Sequence, residues 1–332
     1  MAPLRYQVAI TDFAREPLEL EREILGDIAD VHALDAFSEE ELVGRVEQAD
    51  ALMLYHHLAI TRATIDRLER CKLIVRCGVG VDNVDWRAAR ERGIAVANVP
   101  DYGTEEVADS AIGMALALTR GITLYNSRLR SAEGPWMYTQ AAPLVRLRGR
   151  VFGIVGLGRI GTATALRAKA LGMQVAFYDP FVPDGLDKAL GVRRMGTFEE
   201  LVRAMYVLSL HCPLTTATHH MVNAAALAAM PRGSYLVNTA RGKVVDTSAI
   251  PAAIESGQLA GAAIDVLEAE PPGDDDPLVQ AWRNPAHPAH HRVLINPHAA
   301  FYCEEGFREM RTKGSQACRA ALLGLPLRNV VN

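Results

Sequence analysis

The nine residues Gly153-Ile154-Val155-Gly156-Leu157-Gly158-Arg159-Ile160-Gly161 constrain this chain more than any other stretch. Gly-x-Gly-x-x-Gly is a weak signal by itself. Here it follows an apolar run, Val151–Val155, and opens a helical pattern over 159–171, the strand–turn–helix context in which the pattern has a mechanism. Gly156 permits a tight turn, Gly158 leaves room for an anion to reach the backbone, and Gly161 lets helix and strand pack closely. The start of the helix then offers unpaired N–H groups and a favourable dipole. The next apolar run ends in Phe177-Tyr178-Asp179-Pro180, with Asp179 standing 18 residues beyond Gly161, near where an acid accepts hydrogen bonds from a ribose. A carboxylate there repels a 2′-phosphate, so the pattern predicts NAD over NADP. An ordinary tight turn with a surface Asp179 would account for each feature singly, but not for their common register.

The chain has 332 residues, enough for two domains at about 150 residues each. A hydrophobic share of 49% and a charged share of 22% suit a globular protein and exclude a disordered tail, a collagen-like fibre or a disulfide miniprotein. The net charge of −4 gives no footprint for a phosphate backbone, so no nucleic-acid partner is expected. Cys71, Cys77, Cys212, Cys303 and Cys318 are odd in number and never spaced Cys-x-x-Cys, which argues against a disulfide framework or a zinc site. The first ten residues lack the apolar core of a signal peptide, and the apolar stretch 111–118 is too short to cross a bilayer. The expectation is a cytoplasmic protein in a reducing compartment.

Strand-like runs at Tyr6–Ile10, Ala51–Leu54, 73–75 and 94–97 alternate with helical patterns at 18–28 and 61–70. That alternation predicts an α/β fold with parallel sheets covered by helices. The turn-rich Asn98-Val99-Pro100-Asp101-Tyr102-Gly103 then leads into one long helical pattern over 104–130, in which Asp109 and Arg120 argue against a membrane helix. Its apolar face should pack on another domain or subunit. A second series places strands at Val151–Val155, Gln174–Tyr178, 206–210, 235–238, 261–265 and Val293–Ile295, helices at 159–171 and 247–256, and a last helix over about 303–323.

Three polar groups follow strands of this second series: Arg241 in Asn238-Thr239-Ala240-Arg241-Gly242, Glu270 in Asp265-Val266-Leu267-Glu268-Ala269-Glu270-Pro271, and His298 in Asn296-Pro297-His298-Ala299-Ala300. A parallel sheet puts the carboxyl ends of its strands at one edge, where ligands bind. Singly, Arg241 could be a surface ion-pair member, Glu270 a solvated loop acid and His298 a helix cap. Together they suit hydride transfer to a 2-keto acid: the guanidinium grips a carboxylate, the imidazolium gives a proton to the keto oxygen, and the acid fixes the imidazole.

With Arg76-Cys77-Gly78-Val79-Gly80-Val81-Asp82-Asn83-Val84-Asp85 added, these stretches make the chain resemble the D-isomer-specific 2-hydroxyacid dehydrogenase family. Leu52-Met53-Leu54-Tyr55-His56, Leu210-His211-Cys212 and Pro297-His298-Ala299-Ala300-Phe301-Tyr302 resemble its C-terminal binding protein (CtBP-like) branch, NAD(H)-binding corepressors of animals and their bacterial relatives. The resemblance implies two Rossmann-like or flavodoxin-like domains. A discontinuous substrate domain of residues 1–101 and 302–332 would receive an inserted NAD-binding domain, 102–301. It implies a catalytic triad of Arg241, Glu270 and His298. It implies substrate contacts from Arg76 and from an anion nest at Cys77, Gly78, Val79 and Gly80, with Phe301, where the branch has Trp, flanking the substrate. Cofactor contacts fall on Gly156, Gly158, Arg159, Ile160, Gly161, Asp179, His211, Cys212, Pro213, Thr218, Thr239, Ala240, Arg241, Asp265, His298 and Ala300. A homodimer through 104–130 is implied, as is domain closure that excludes water.

The expected activity is an NAD-dependent 2-keto acid reductase. The alternatives are an NAD(H)-sensing corepressor-like scaffold and a phosphite-type dehydrogenase. No metal is expected: His287, His290 and His291 read as exposed loop histidines, and Asp274-Asp275-Asp276 as solvated surface. Tyr55 and His56 are candidates to face the substrate, His219-His220 to make a structural contact near the cofactor loop, and Trp136 and Met137 within 131–146 to cap a neighbouring subunit.

Overall fold

The structure, a computed structural model, describes residues 5–332; residues 1–4, part of the stretch searched for a leader, lie outside the described residues. The chain divides into two compact units, one of residues up to Gly103 with Cys303–Asn332, the other Thr104–Tyr302. The crossings stand two residues and one residue later than the resemblance implies.

In chain order the first unit comprises β1 (Tyr6–Ile10), α1 (Glu19–Leu25), β2 (Ala29–Ala33), β3 (Ala51–Leu54), α2 (Arg62–Ile65), β4 (Leu73–Arg76), α3 (Trp86–Glu91) and β5 (Ala95–Asn98). The five strands pair in parallel in the order β2-β1-β3-β4-β5. Every residue of β3 and β4 is buried, as in a parallel sheet covered on both faces. Hydropathy alone does not announce β2. It is an edge strand whose Ala29 and Val31 are buried while His32 faces solvent. The helical patterns at 18–28 and 61–70 contract to α1, closed by Gly26, and to α2.

The second unit begins with α4 (Thr104–Thr119) and α5 (Ile122–Arg130). The expected single helix over 104–130 is therefore two, bent by 62°. Gly121, at φ +65°, stands between them in the left-handed conformation that ends a helix. No single helix among the described residues is long and apolar enough to cross a membrane. There follow β6 (Val151–Val155), α6 (Arg159–Ala170), β7 (Gln174–Tyr178), α7 (Leu186–Leu190), β8 (Arg193–Arg194), α8 (Phe198–Ala204), β9 (Val207–Leu210), α9 (Ala224–Ala229), β10 (Ser234–Asn238), α10 (Ile250–Glu255), β11 (Leu259–Ile264), α11 (Pro277–Arg283) and β12 (Val293–Ile295). The sheet is all parallel, in the order β12-β11-β10-β9-β6-β7-β8. The chain runs outward from β6 through β7 to β8, then crosses back to β9 on the other side of β6. That reversal makes a switch point between β6 and β9, where a doubly wound sheet opens a crevice.

Alternate side chains feed two cores. Phe152, Ile154, Val175, Phe177 and Val237 pack with Ala111, Met114 and Leu118 of α4 and Ala165 of α6. Ala176, Leu208, Leu210, Leu236 and Ile264 point the other way, towards Leu201 of α8, Leu227 of α9 and Ile254 of α10.

The last helix, α12 (Glu304–Leu322), returns to the first unit. Its Gly314 is demanded by packing, because a Cβ there would stand 2.6 Å from Cys77 Sγ and 3.0 Å from Met53 Cε. Glu21 of α1 is fully buried, and both its oxygens meet Arg311 of α12 at 2.7 Å. A buried pair of this kind costs more to break than to remove. Arg311→Leu should lower unfolding free energy by about 3 kcal/mol or more, and adding Glu21→Leu should restore over half of it, as read by urea denaturation. An additive loss in the double variant would contradict the assignment.

Candidate active site

Parallel register sets six strand ends level. Tyr178 pairs with Val155, Val155 with Leu210, Leu210 with Asn238, Asn238 with Ile264, and Ile264 with Ile295. The candidates of the second unit emerge from this row: Asp179, Gly156, His211, Thr239 and Asp265 one residue beyond it, and His298 three beyond. Residues more than a hundred positions apart thus share one edge.

At the switch point the glycines do different work. Gly156 stands at φ +89°, and a Cβ there would lie 2.8–2.9 Å from backbone atoms of His211 and Cys212. A Cβ on Gly161 would overlap the Gly156 carbonyl oxygen. On exposed Gly158 it would meet nothing within 4 Å. The first two are set by packing, whereas the third leaves a cradle at the start of α6. Asp179 binds the turn to β7: its Oδ2 accepts from Leu157 N–H at 2.8 Å and its Oδ1 from Phe181 N–H at 2.9 Å. A carboxylate has about four acceptor sites, so capacity remains for ribose hydroxyls. Arg159 is exposed and Ile160 half-buried at the helix start.

Two buried polar atoms along the same edge, His211 Nδ1 and Thr239 Oγ1, lack a hydrogen-bond partner, an arrangement that calls for a ligand or water. Burial depresses His211 to a pKa of about 3, so its ring is neutral, with Nε2 2.9 Å from Ser209 Oγ. Burial pushes the Cys212 thiol up to about 11; its place is taken by backbone closeness to Gly156, not by thiolate chemistry. Thr218 Oγ1 donates to the Pro213 carbonyl at 2.7 Å, which folds that loop on itself. The open cradle, the acid and the unsatisfied polar atoms fit a dinucleotide.

At the other end of the row, His298 Nδ1 lies 2.7 Å from Glu270 Oε2. The carboxylate is an acceptor, so Nδ1 carries the proton. Glu270 is itself aimed by Leu267 N–H, which donates to its Oε1 at 2.9 Å. His298 stands at φ +52°, a conformation that costs a non-glycine residue roughly 1–3 kcal/mol when imposed by its surroundings. Asp265 imposes it. Its carbonyl accepts from His298 N–H at 2.7 Å, and its carboxylate accepts from Ala299 N–H at 2.9 Å and Ala300 N–H at 3.1 Å. Burial raises the Asp265 pKa; the two amides and the nearby His298 oppose that rise. The Phe301 ring stands edge-on to His298 at 6.3 Å between centroids.

Arg241 follows β10 in a turn bracketed by fully buried Asn238, which accepts from Ala240 N–H at 3.0 Å and donates to the Arg241 carbonyl at 2.9 Å. The Arg241 guanidinium donates to the Ala240 carbonyl at 2.8 Å.

Asp265 and Ala300, expected as cofactor contacts, are 2% and 3% exposed and hydrogen-bonded to each other; the Ala300 carbonyl also accepts from Ser110 Oγ. Other expectations need correction. In the first unit, Cys77 cannot join an anion nest, because its N–H donates to the Leu54 carbonyl at 2.7 Å. Its thiol is buried and pushed up to about 12. Gly78, Val79 and Gly80 remain. The guanidinium of buried Arg76 lies where a Gly78 Cβ would stand, and donates to the Cys77 carbonyl at 3.1 Å. Tyr55 does not face a substrate: it is fully buried, its ring 5.4 Å from that of Phe13. The His56 ring is tilted against that of Phe13, 4.7 Å between centroids.

The loop histidines are not idle surface either. His287 Nδ1 accepts from Ala289 N–H, His290 Nδ1 meets the Trp282 carbonyl, and His291, 10% exposed, bridges Ser127 and Glu133. Asp276 caps α11 by accepting from Val279 N–H at 3.0 Å. Asn238, Glu268 and Thr247 carry no assigned role in the sequence reading. The available signal was a polar residue closing an apolar strand, as Asn238 does.

The second unit is thus a doubly wound dinucleotide-binding domain with a histidine–carboxylate pair on its ligand edge. Residues 112–300 match the family described as D-isomer specific 2-hydroxyacid dehydrogenase, NAD binding domain, and the chain belongs to that family. It is 34% identical over 309 residues to a D-3-phosphoglycerate dehydrogenase of Methanocaldococcus jannaschii, covering 93% of this chain and 56% of that protein. It is 34% identical over 312 residues to C-terminal-binding protein 1 of Caenorhabditis elegans, covering 92% and 42%. The chain spans about half the length of these curated relatives. A crystal structure of D-lactate dehydrogenase from Aquifex aeolicus, complexed with NAD and lactic acid, superimposes with a TM-score of 0.85 at 27% identity, covering 96% of each chain.

The three glycines predict different outcomes. Gly158→Val should leave the melting temperature within about 2 °C of the parent while weakening NADH binding about tenfold or more. Gly156→Ala and Gly161→Ala should instead lower the melting temperature. Fluorescence titration with NADH, alongside thermal unfolding, separates these outcomes.

Proposed function

We propose that this protein is an NAD-dependent dehydrogenase of D-2-hydroxy acids that works as a 2-keto acid reductase. The observation that carries this reading is the His298–Glu270 pair at 2.7 Å, on the same strand-end row as the glycine turn. When bound, the nicotinamide supplies or accepts the hydride. Gly158, Arg159 and Ile160 would hold its pyrophosphate, Asp179 its ribose, and His211 and Thr239 the stretch between. His298 Nε2 gives a proton to the substrate's carbonyl oxygen in reduction and takes one from the hydroxyl in oxidation. Glu270 keeps the imidazole in the required tautomer and offsets its charge when both nitrogens are protonated. Arg241 takes the substrate carboxylate and polarises the neighbouring carbonyl.

A non-catalytic NAD(H)-sensing scaffold is the second reading, favoured by the 34% identity to a C-terminal-binding protein. It gives no chemical task to the His298–Glu270 pair. We also propose that the chain pairs with a second copy of itself through α5 and the segment after it. There Ile122, Leu129, Trp136, Met137 and Tyr138 are 57%, 39%, 85%, 53% and 75% exposed, and apolar side chains left uncovered close together in the chain are what an interaction surface offers. Ile122→Ser with Trp136→Ser should shift the sedimentation coefficient from dimer towards monomer; an unchanged dimer would move the interface elsewhere.

The test of the activity is NADH consumption with glyoxylate, hydroxypyruvate, pyruvate and phenylpyruvate. Turnover of at least one is expected, and His298→Ala should lower kcat by roughly 10²–10⁴-fold while NADH affinity stays within about threefold. No turnover with any of the four would count against the reading, and loss of NADH binding in the variant would make His298 structural.

A further inference from the structure

Two histidine–glutamate pairs share the loop after β11. Glu270 holds His298. Glu268, two residues earlier, holds His220, its Oε2 lying 2.9 Å from His220 Nε2. The other Glu268 oxygen accepts from both the backbone N–H and the hydroxyl of Thr247 at 3.3 Å. One carboxylate therefore joins three loops of the second unit. His220 closes the loop after β9 that carries Pro213 and Thr218. Thr247 follows the turn after β10 that carries Arg241. Glu268 itself lies between Asp265 and Glu270.

The backbone around this junction is tightly interlocked. His220, at φ +48°, gives its N–H to the Lys243 carbonyl at 2.8 Å. A Cβ on Gly242 would overlap the carbonyl of Leu267. The His220 and Glu268 side chains are 36% and 29% exposed, and the His220 ring stacks on His219 at 4.1 Å between centroids. This is a partly desolvated contact at the root of the loop that carries Glu270. The Leu267 N–H aims Glu270 at 2.9 Å, so the direction of the Glu270 carboxylate depends on the backbone that Glu268 secures.

We propose that His220–Glu268 is a positioning pair for the histidine–carboxylate site: by tying the three loops together it keeps Glu270 on His298 and Arg241 in place. Neither member needs to touch substrate. If Glu268 releases its partners, the backbone at 267–269 is free to turn and the His298–Glu270 contact loosens. A displacement of about 1 Å in such a site costs on the order of 10²-fold in rate. The kinetic part of this inference rests on the proposed function; the spectroscopic part does not.

The experiment compares Glu268→Gln, His220→Gln and the double variant in the full chain. In ¹⁵N-histidine-labelled protein without cofactor or substrate, the downfield imidazole proton between His298 and Glu270, assigned through its loss in Glu270→Gln, should be sharp in the parent and exchange-broadened in both single variants. With whichever of the four keto acids turns over, kcat should fall about tenfold or more in each single variant, with NADH affinity within about threefold. The double variant should be no worse than the poorer single. If the parent turns over none of the four, the proposed function fails and the imidazole proton alone decides the positioning role. An unchanged His298 signal in both single variants overturns the inference, whatever happens to the melting temperature. Additive losses in the double variant also overturn it, because two residues acting as one tie cannot lose more together than that tie supplies.

Discussion

The register of the seven-stranded sheet is the constraint on which the rest of the site depends. Parallel pairing sets Tyr178, Val155, Leu210, Asn238, Ile264 and Ile295 level across six strands. Because the side-chain period of a strand is two, a slip of one residue would turn every core side chain to the wrong face. Phe152 and Ile154 on one side of β6, and Leu208 and Leu210 on one side of β9, make such a slip prohibitive. Hydrophobic packing far from any ligand therefore decides where Asp179, Gly156, His211, Thr239 and His298 emerge.

Beyond the row, polar contacts take over from packing. Asn238 brackets the turn of Arg241, and Asp265 holds His298 in a left-handed conformation through three backbone amides. These groups are buried, and a buried polar group without its partner is costly. Each contact is thereby nearly obligatory. The site combines such fixed elements with atoms left unsatisfied, His211 Nδ1 and Thr239 Oγ1, and with the open space at Gly158. Rigid support beside unsatisfied polarity is what a preformed ligand site requires.

Much of this was legible in the chain because it depends on local pattern. The glycine turn, its strand and its helix are contiguous, and β6 and β7 fall where hydropathy puts them. Arg241, Glu270 and His298 each follow an apolar run. What could not be read depends on partners distant in sequence or on a single backbone angle. The apolar periodicity runs through Gly121 without a break, yet its φ of +65° divides the helix. Cys77 has the setting of a nest residue, but its amide is taken by Leu54 of the adjacent strand. Asp265 and Ala300 are 35 positions apart, and nothing in either segment reveals that they bind each other. β2 shows too little apolar alternation to stand out, since an edge strand buries only part of itself.

The most direct measurement is a crystal structure of the protein with NADH and an unreactive keto acid analogue such as oxamate. The account predicts the dinucleotide lying along the strand-end row, its pyrophosphate at Gly158 and its adenosine ribose at Asp179. The analogue's carbonyl oxygen should lie about 2.6–3.2 Å from His298 Nε2. A dinucleotide bound away from the loops that follow β6, β7 and β9, or a His298 Nε2 turned from the analogue, would contradict it.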